Sequence, residues 1–166
     1  MRSVRTVSIA VALLITVCCA ADVSAQGGVY SLHSLGPRAG VGLEPDQFVI
    51  GGQAVLGRML YTARLEVCLD IGFGDDMTVT TFDADMYLPL PGPPKAPISF
   101  YVAAGPTLAY IDPEYGDEDI EIGFTISGGI KMPMGIGNNH YNLEGRFGFG
   151  DIPEVKILFG IMFGGM

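Results

Sequence analysis

The segment Tyr61-Thr62-Ala63-Arg64-Leu65-Glu66-Val67-Cys68-Leu69-Asp70-Ile71-Gly72-Phe73 changes character at every step. Tyr61, Ala63, Leu65, Val67, Leu69, Ile71 and Phe73 form one set; Thr62, Arg64, Glu66, Cys68, Asp70 and Gly72 form the other. Successive side chains of an extended chain point to opposite faces. This is therefore a strand with one continuous apolar face and one face carrying both charge signs. That combination suits a strand with lipid on one side and a polar barrel interior on the other. A sheet in lipid has to close, because an open edge leaves backbone donors and acceptors without partners.

Seven more segments can be read as strands between turn signals: about Gly36 to Leu43, Phe48 to Gly57, Val79 to Leu88, Ile98 to Ile111, Ile120 to Met132, Tyr141 to Phe149 and Val155 to Phe163. The connections are short and rich in Gly, Pro, Asp and Asn, as in Glu44-Pro45-Asp46, Gly74-Asp75-Asp76 and Gly137-Asn138-Asn139. These are hairpin signals. The predicted fold is all-β: an eight-stranded antiparallel up-and-down transmembrane β-barrel with a polar interior. Pro37 and the Gly51-Gly52 pair predict a bulge or an irregular start in the first two strands.

Arg2 and Arg5 precede an apolar run from about Val7 to Ala20, and Val23-Ser24-Ala25 supplies a small-residue cleavage site. Residues 1–25 are expected to be a cleaved signal peptide, and residues 26–166 one barrel domain. Cys18 and Cys19 raise a lipoprotein alternative, which Val17 before Cys18 argues against. Cys68 is then the one cysteine of the mature chain, expected as a small inward residue without a disulfide. Losing Arg2, Arg5 and Asp22 takes the formal charge from −9 to −10. Such acidity argues against nucleic acid as a partner, since phosphate backbones need basic surfaces.

Alternation alone does not say which face is inside, and a soluble lipocalin-like periplasmic barrel would bury the apolar one. Two features favour polar-inside. Ser99, Tyr101, Ala103, Gly105, Thr107 and Ala109 carry no charge, unlike a water-facing strand. Glycine also recurs on the polar faces, where a narrow eight-stranded lumen needs small residues. The inner faces hold nearly balanced charges, Arg38, Arg64, Lys131, Arg146 and Lys156 against Glu66, Asp70, Asp83, Asp85, Glu121 and Glu144, so an ion network of Arg64, Glu66, Asp83, Asp85, Glu144 and Arg146 is expected in the lumen. The acidic excess falls in the connections between strands 1–2, 3–4, 5–6 and 7–8, which share one end. Arg58 and Lys95 mark the other.

Met86-Tyr87-Leu88-Pro89 with its turn to Pro97, the run Tyr101 to Tyr110, Leu143-Glu144-Gly145-Arg146-Phe147 and the ending Leu158 to Phe163 resemble the small eight-stranded outer-membrane barrel family, of the opacity-protein and OmpA-like barrel-domain type. The resemblance covers most of residues 26–166 and describes a fold more than an activity. It implies residence in the cell outer membrane, contact with outer-membrane lipid and lipopolysaccharide, and insertion by the barrel-assembly machinery as a monomer. Such barrels usually finish on an aromatic residue; here Gly164-Gly165-Met166 follows Phe163.

Little in the chain points to chemistry. His33, expected ahead of the first strand, and His140, at the start of the seventh, lie away from the acidic end and have no Ser partner in sequence. A lipid-modifying enzyme is therefore disfavoured, and neither a catalytic residue nor a cofactor is expected. Asp83 and Asp85 share a face, which fits a structural ion network better than an acid pair. Asp117, Glu118 and Asp119 are candidate cation ligands without a recognised calcium spacing. The expected function is a closed structural or surface-interaction barrel. The alternatives are a narrow pore or a small hydrophobic-ligand carrier.

Overall fold

The computed structural model describes residues 32–93, 97–135, 137–153 and 155–164, without the side chains of 58–60. The expected leader at 1–25, Lys95, Glu154, Gly165, Met166 and the Arg58 side chain lie outside the described residues. Eight strands follow in order: β1 Leu32–Glu44, β2 Asp46–Leu60, β3 Ala63–Gly74, β4 Met77–Leu90, β5 Ser99–Pro113, β6 Asp119–Pro133, β7 His140–Phe149 and β8 Val155–Gly164. Each pairs antiparallel with the next, and β1 pairs with β8, so the sheet is a closed barrel. The strands run from 10 to 15 residues. That reaches or exceeds the ~9–11 tilted residues a bilayer core requires.

Three local expectations need correction. β1 starts at Leu32, so His33 is part of the barrel wall and does not precede it. β3 starts at Ala63; Tyr61 sits in the β2–β3 turn at φ 49° and Thr62 beside it. Pro37 and the Gly51-Gly52 pair form no bulge. Pro37 lies opposite Gly52 and Arg38 opposite Gly51, so the ring and the guanidinium meet no side chain across the ladder and the register runs on unbroken. The irregularities fall instead near strand ends: between Leu32 and Ser34, at the start of β1, between Val55 and Leu60, and, against β8, between Gly42 and Glu44.

Apolar side chains form the outer surface. Phe48, Phe82, Met86, Ile122, Phe124, Phe147, Phe159 and Phe163 are all exposed, and every strand contributes to the belt. An exposed apolar surface that encircles a molecule matches lipid and not water. A lipocalin-like arrangement would place these residues inside, and it does not fit. The interior is stacked in layers along the barrel axis. Val55, Tyr87, Tyr101, Ala103 and Met162 form one apolar cluster. Val79, Ala109 and Ile152, with Met77 and Ile111, form a second towards the turns opposite the termini. The charged residues lie between them.

Ile126 stands at the middle of β6, 45% exposed on the outer face. Ile126→Arg should cost about 2–4 kcal/mol, the usual penalty of a midplane cation on the lipid face. Ile126→Leu keeps the apolar surface and should stay within about 1.5 kcal/mol. Urea titration of folded protein in lipid vesicles, followed by circular dichroism because the chain has no Trp, measures both.

Candidate functional site

Strand register decides which inner residues meet. Glu66 of β3 lies opposite Asp85 of β4 because the Gly74–Met77 connection is tight. Asp83 is two residues away on the same face, and Glu144 and Arg146 are two apart on β7. Arg146 bridges the group. Its Nη1 lies 2.9 Å from Asp85 Oδ2 and 3.1 Å from Asp83 Oδ2, and its Nε donates to Glu144 Oε1 at 3.0 Å. Its Nη2 is 3.9 Å from Glu66 Oε2 and 3.6 Å from Cys68 Sγ. Cys68 is a buried free thiol.

Arg38 is the second guanidinium at the centre. Nε and Nη2 donate to the two oxygens of Asp70 at 2.7 Å each, a bidentate pair. Nη1 donates to Glu144 Oε1 at 3.3 Å and to Gln53 Oε1 at 3.2 Å. Arg38 and Asp70 are two strands apart, and the residue between them in the register is Gly51. A Cβ at Gly51 would collide with the Asp70 carboxylate and the Leu69 carbonyl, so glycine is what lets this pair form across β2. The same device serves Tyr101. It lies opposite Gly129, which lies opposite Glu144. The Tyr101 hydroxyl reaches over the glycine and donates to Glu144 Oε2, while Asn142 Nδ2 donates to Tyr101 at 2.9 Å.

The remaining charges are held from the other end. Lys156 Nζ donates to Thr81 Oγ1 at 2.8 Å and lies 3.6 Å from Asp70 Oδ2. Thr107 donates to Asp83 Oδ1 at 2.6 Å. Among the described residues the buried carboxylates are Glu66, Asp70, Asp83, Asp85 and Glu144, and the buried cations are Arg38, Arg146 and Lys156. Hydroxyl donors from Tyr101, Thr107 and Thr125 therefore carry part of the task of satisfying the carboxylates. Such donors are needed because a buried charge left without partners is far costlier than one hydrogen bond.

Of the residues the sequence marked, Glu66, Asp83, Asp85, Glu144 and Arg146 converge. Arg64 lies opposite Tyr87, nearer the termini, where it lines a cavity at the mouth. Sequence reasoning placed Arg38, Asp70 and Lys156 on inner faces but did not join them to the network. Row-by-row register through Gly51 was the signal that would have done so. The rim run behaves differently: Asp117, Glu118 and Asp119 are exposed, and Asp119 Oδ1 accepts the backbone N–H of Ile120 at 2.8 Å.

Among the described residues, the set whose potential ligand atoms converge is Glu66, Cys68 and Asp85, within 4.8 Å of one another. Arg146 already stands against all three, so a permanent cation holds the position a metal ion would take. Among the described residues of the ion network, no general base stands beside a nucleophile in open contact with solvent. The Cys68 thiol faces a guanidinium inside a sealed layer.

An apolar cap stands at the end opposite the termini. The β7–β8 connection turns inward, and Ile152 is 5% exposed against Val79 and Ala109. Its side chain lies over Gly123 and Gly148, where a Cβ would meet Ile152 or the Pro153 carbonyl. An inward apolar residue in an otherwise acidic connection is a feature the turn signals did not reveal.

The sequence matches no protein-family model and no curated protein. Several solved structures share the fold. The crystal structure of Neisserial surface protein A (NspA) superposes with a TM-score of 0.64 at 12% identity, covering 83% of this chain and 99% of that one. The N-terminal β-barrel domain of Pseudomonas aeruginosa OprF gives 0.57 at 17% identity, covering 79% and 96%. The solution structure of the de novo designed TMB2.3 gives 0.52 at 14% identity, covering 84% and 97%. The likeness extends over nearly the whole of each barrel, and it is a likeness of fold.

Arg146→Met should destabilise the barrel by about 3–5 kcal/mol, because it leaves buried carboxylates without their cation. Arg146→Lys restores the charge but not the planar fork, and should recover only part of the loss. Unfolding midpoints in detergent, read by circular dichroism, give both values.

Proposed function

We propose that this protein is an outer-membrane barrel with a closed lumen, serving as a structural or surface-interaction module without catalytic activity. The observation that carries the reading is the composition of the lumen. An aromatic layer, a cross-linked ion network and an apolar cap follow one another along the axis. Eight strands leave an interior just wide enough for side chains, and here the side chains occupy it. Water or solute would have to break charge-assisted bonds to pass.

The rest of the reading concerns residence. A signal peptide at 1–25 exports the chain, and the assembly machinery inserts it as a monomer. An even number of strands leaves both termini on the periplasmic side. The acidic connections at the other end then face outward, beside lipopolysaccharide. Carboxylates there repel anionic headgroups, and divalent cations offset the repulsion by bridging both.

Planar-bilayer recording tests the closed lumen. The intact protein should give no stable ohmic channel, whereas Ile152→Asp, which puts a charge into the apolar cap, should give measurable conductance or a marked loss of stability. Large steady channels from the unmutated protein would favour the narrow-pore reading. For the rim, the melting temperature in lipopolysaccharide-containing membranes should rise with millimolar-range calcium against an ionic-strength control. The rise should shrink when Asp117, Glu118 and Asp119 become Asn, Gln and Asn. An unmoved melting temperature leaves the rim as a solvated cap alone.

A further inference from the structure

The termini-side mouth of the barrel holds a cavity of about 400 Å³ that the ion network does not use. Its lining includes Arg64, Lys131, His33 and His140, and among the described residues no carboxylate lines it. Tyr87 is part of the lining and stacks on Tyr101, ring centroids 4.8 Å apart. The Lys131 ammonium stands over these rings, 4.5 Å from the first centroid and 5.4 Å from the second. No carboxylate of the described residues is in ion-pair contact with it. A lysine held on tyrosine faces is a placed cation whose charge is still available to an anion.

Two polar groups on the same walls are unsatisfied. Ser34 Oγ is buried without a hydrogen-bond partner, and so is His140 Nε2. His140 Nδ1 contacts the Asn138 carbonyl at 3.2 Å, which orients the ring, and His140 is one of the cavity's lining residues. Buried polar atoms without partners are uncommon enough to call for one. Here they share a recess with fixed positive charge, and a recess walled by apolar barrel focuses that field. The complementary guest is an oxyanion that accepts several hydrogen bonds at once.

We propose that this mouth is a binding site for a phosphate oxyanion, carried either by a small soluble solute or by a lipid headgroup. Lys131 and Arg64 supply charge, and Ser34 and His140 supply directional contacts.

The test uses the full mature chain, folded in octyl glucoside, which has no phosphate of its own. Inorganic phosphate is titrated in one arm and short-chain phosphatidic acid in the other, with chloride at matched ionic strength as the control. Amide resonances of the strand ends at the mouth report binding. Saturable shifts are expected in at least one arm. Preference for inorganic phosphate identifies a soluble solute, and preference for the lipid identifies a headgroup. Lys131→Met should weaken binding about tenfold, as expected for loss of one charge-assisted contact. Asp117→Asn, at the opposite end, should leave it unchanged. If Lys131→Met does not fold, as judged by heat-modifiable gel migration, Ser34→Ala and His140→Ala carry the comparison, each weakening binding severalfold. The absence of saturable shifts beyond the chloride control in both arms would overturn the proposal. So would equal affinity in wild type and in the folded mouth variants.

Discussion

Arg146 is the largest fully buried side chain among the described residues, and the inner surface is organised around it. A guanidinium inside a protein has to be surrounded by acceptors, and it offers five donors in a fixed plane. Glu144 of β7 accepts its Nε hydrogen bond, and Glu66 of β3 and Asp83 and Asp85 of β4 stand in ion-pair contact around it. Each of those carboxylates would repel the others without it. The need is mutual, so the network tolerates little loss from either side. Arg38 repeats the arrangement with Asp70, and Glu144 touches both arginines. Polar groups thus supply the specificity that apolar packing supplies in a soluble core. The apolar surface has gone to the outside, where lipid accepts it.

Architecture was legible in the chain because it rests on a period of two. Ile120, Ile122, Phe124 and Ile126 against Glu121, Gly123 and Thr125 already separate the two faces of β6, and the burial follows the same division. Contacts inside the lumen were less legible, because they depend on register across strands that are distant in sequence. Arg38 and Asp70 look unrelated until Gly51 is seen between them. Arg64 and Arg38 both belong to inner faces, yet an axial difference of a few residues puts one at the mouth and the other at the centre. Ile152 was hidden for another reason. A connection reads as polar from its average composition, while the cap depends on one side chain turning inward.

The two ends of the barrel differ in sign. At the termini-side mouth Arg64 and Lys131 stand with two histidines. At the other, Asp75, Asp76, Asp117 and Glu118 are exposed in the connections. Between them five buried carboxylates are cross-linked by three buried cations. The molecule is therefore polar along its axis, and headgroups on its two sides meet surfaces of opposite character.

The network also ties together segments that are far apart in the chain. Arg38 and Glu144 are separated by 106 residues, and Gln53 and Met162 by 109. β1 and β7 come within reach only when β8 pairs with β1. An unclosed sheet would therefore have to carry Arg38 and Asp70 without their full set of partners, facing whatever fills the gap. Completion of the last seam brings Glu144 to Arg38 and Lys156 to Asp70 in the same step that satisfies the open edges. Assembly so coupled has a latch: the contact that closes the sheet also completes the partners of its buried charges. For a chain that lies in lipid, the closed ring is what hides its charges: Arg38, Asp70 and Glu144 are buried within it.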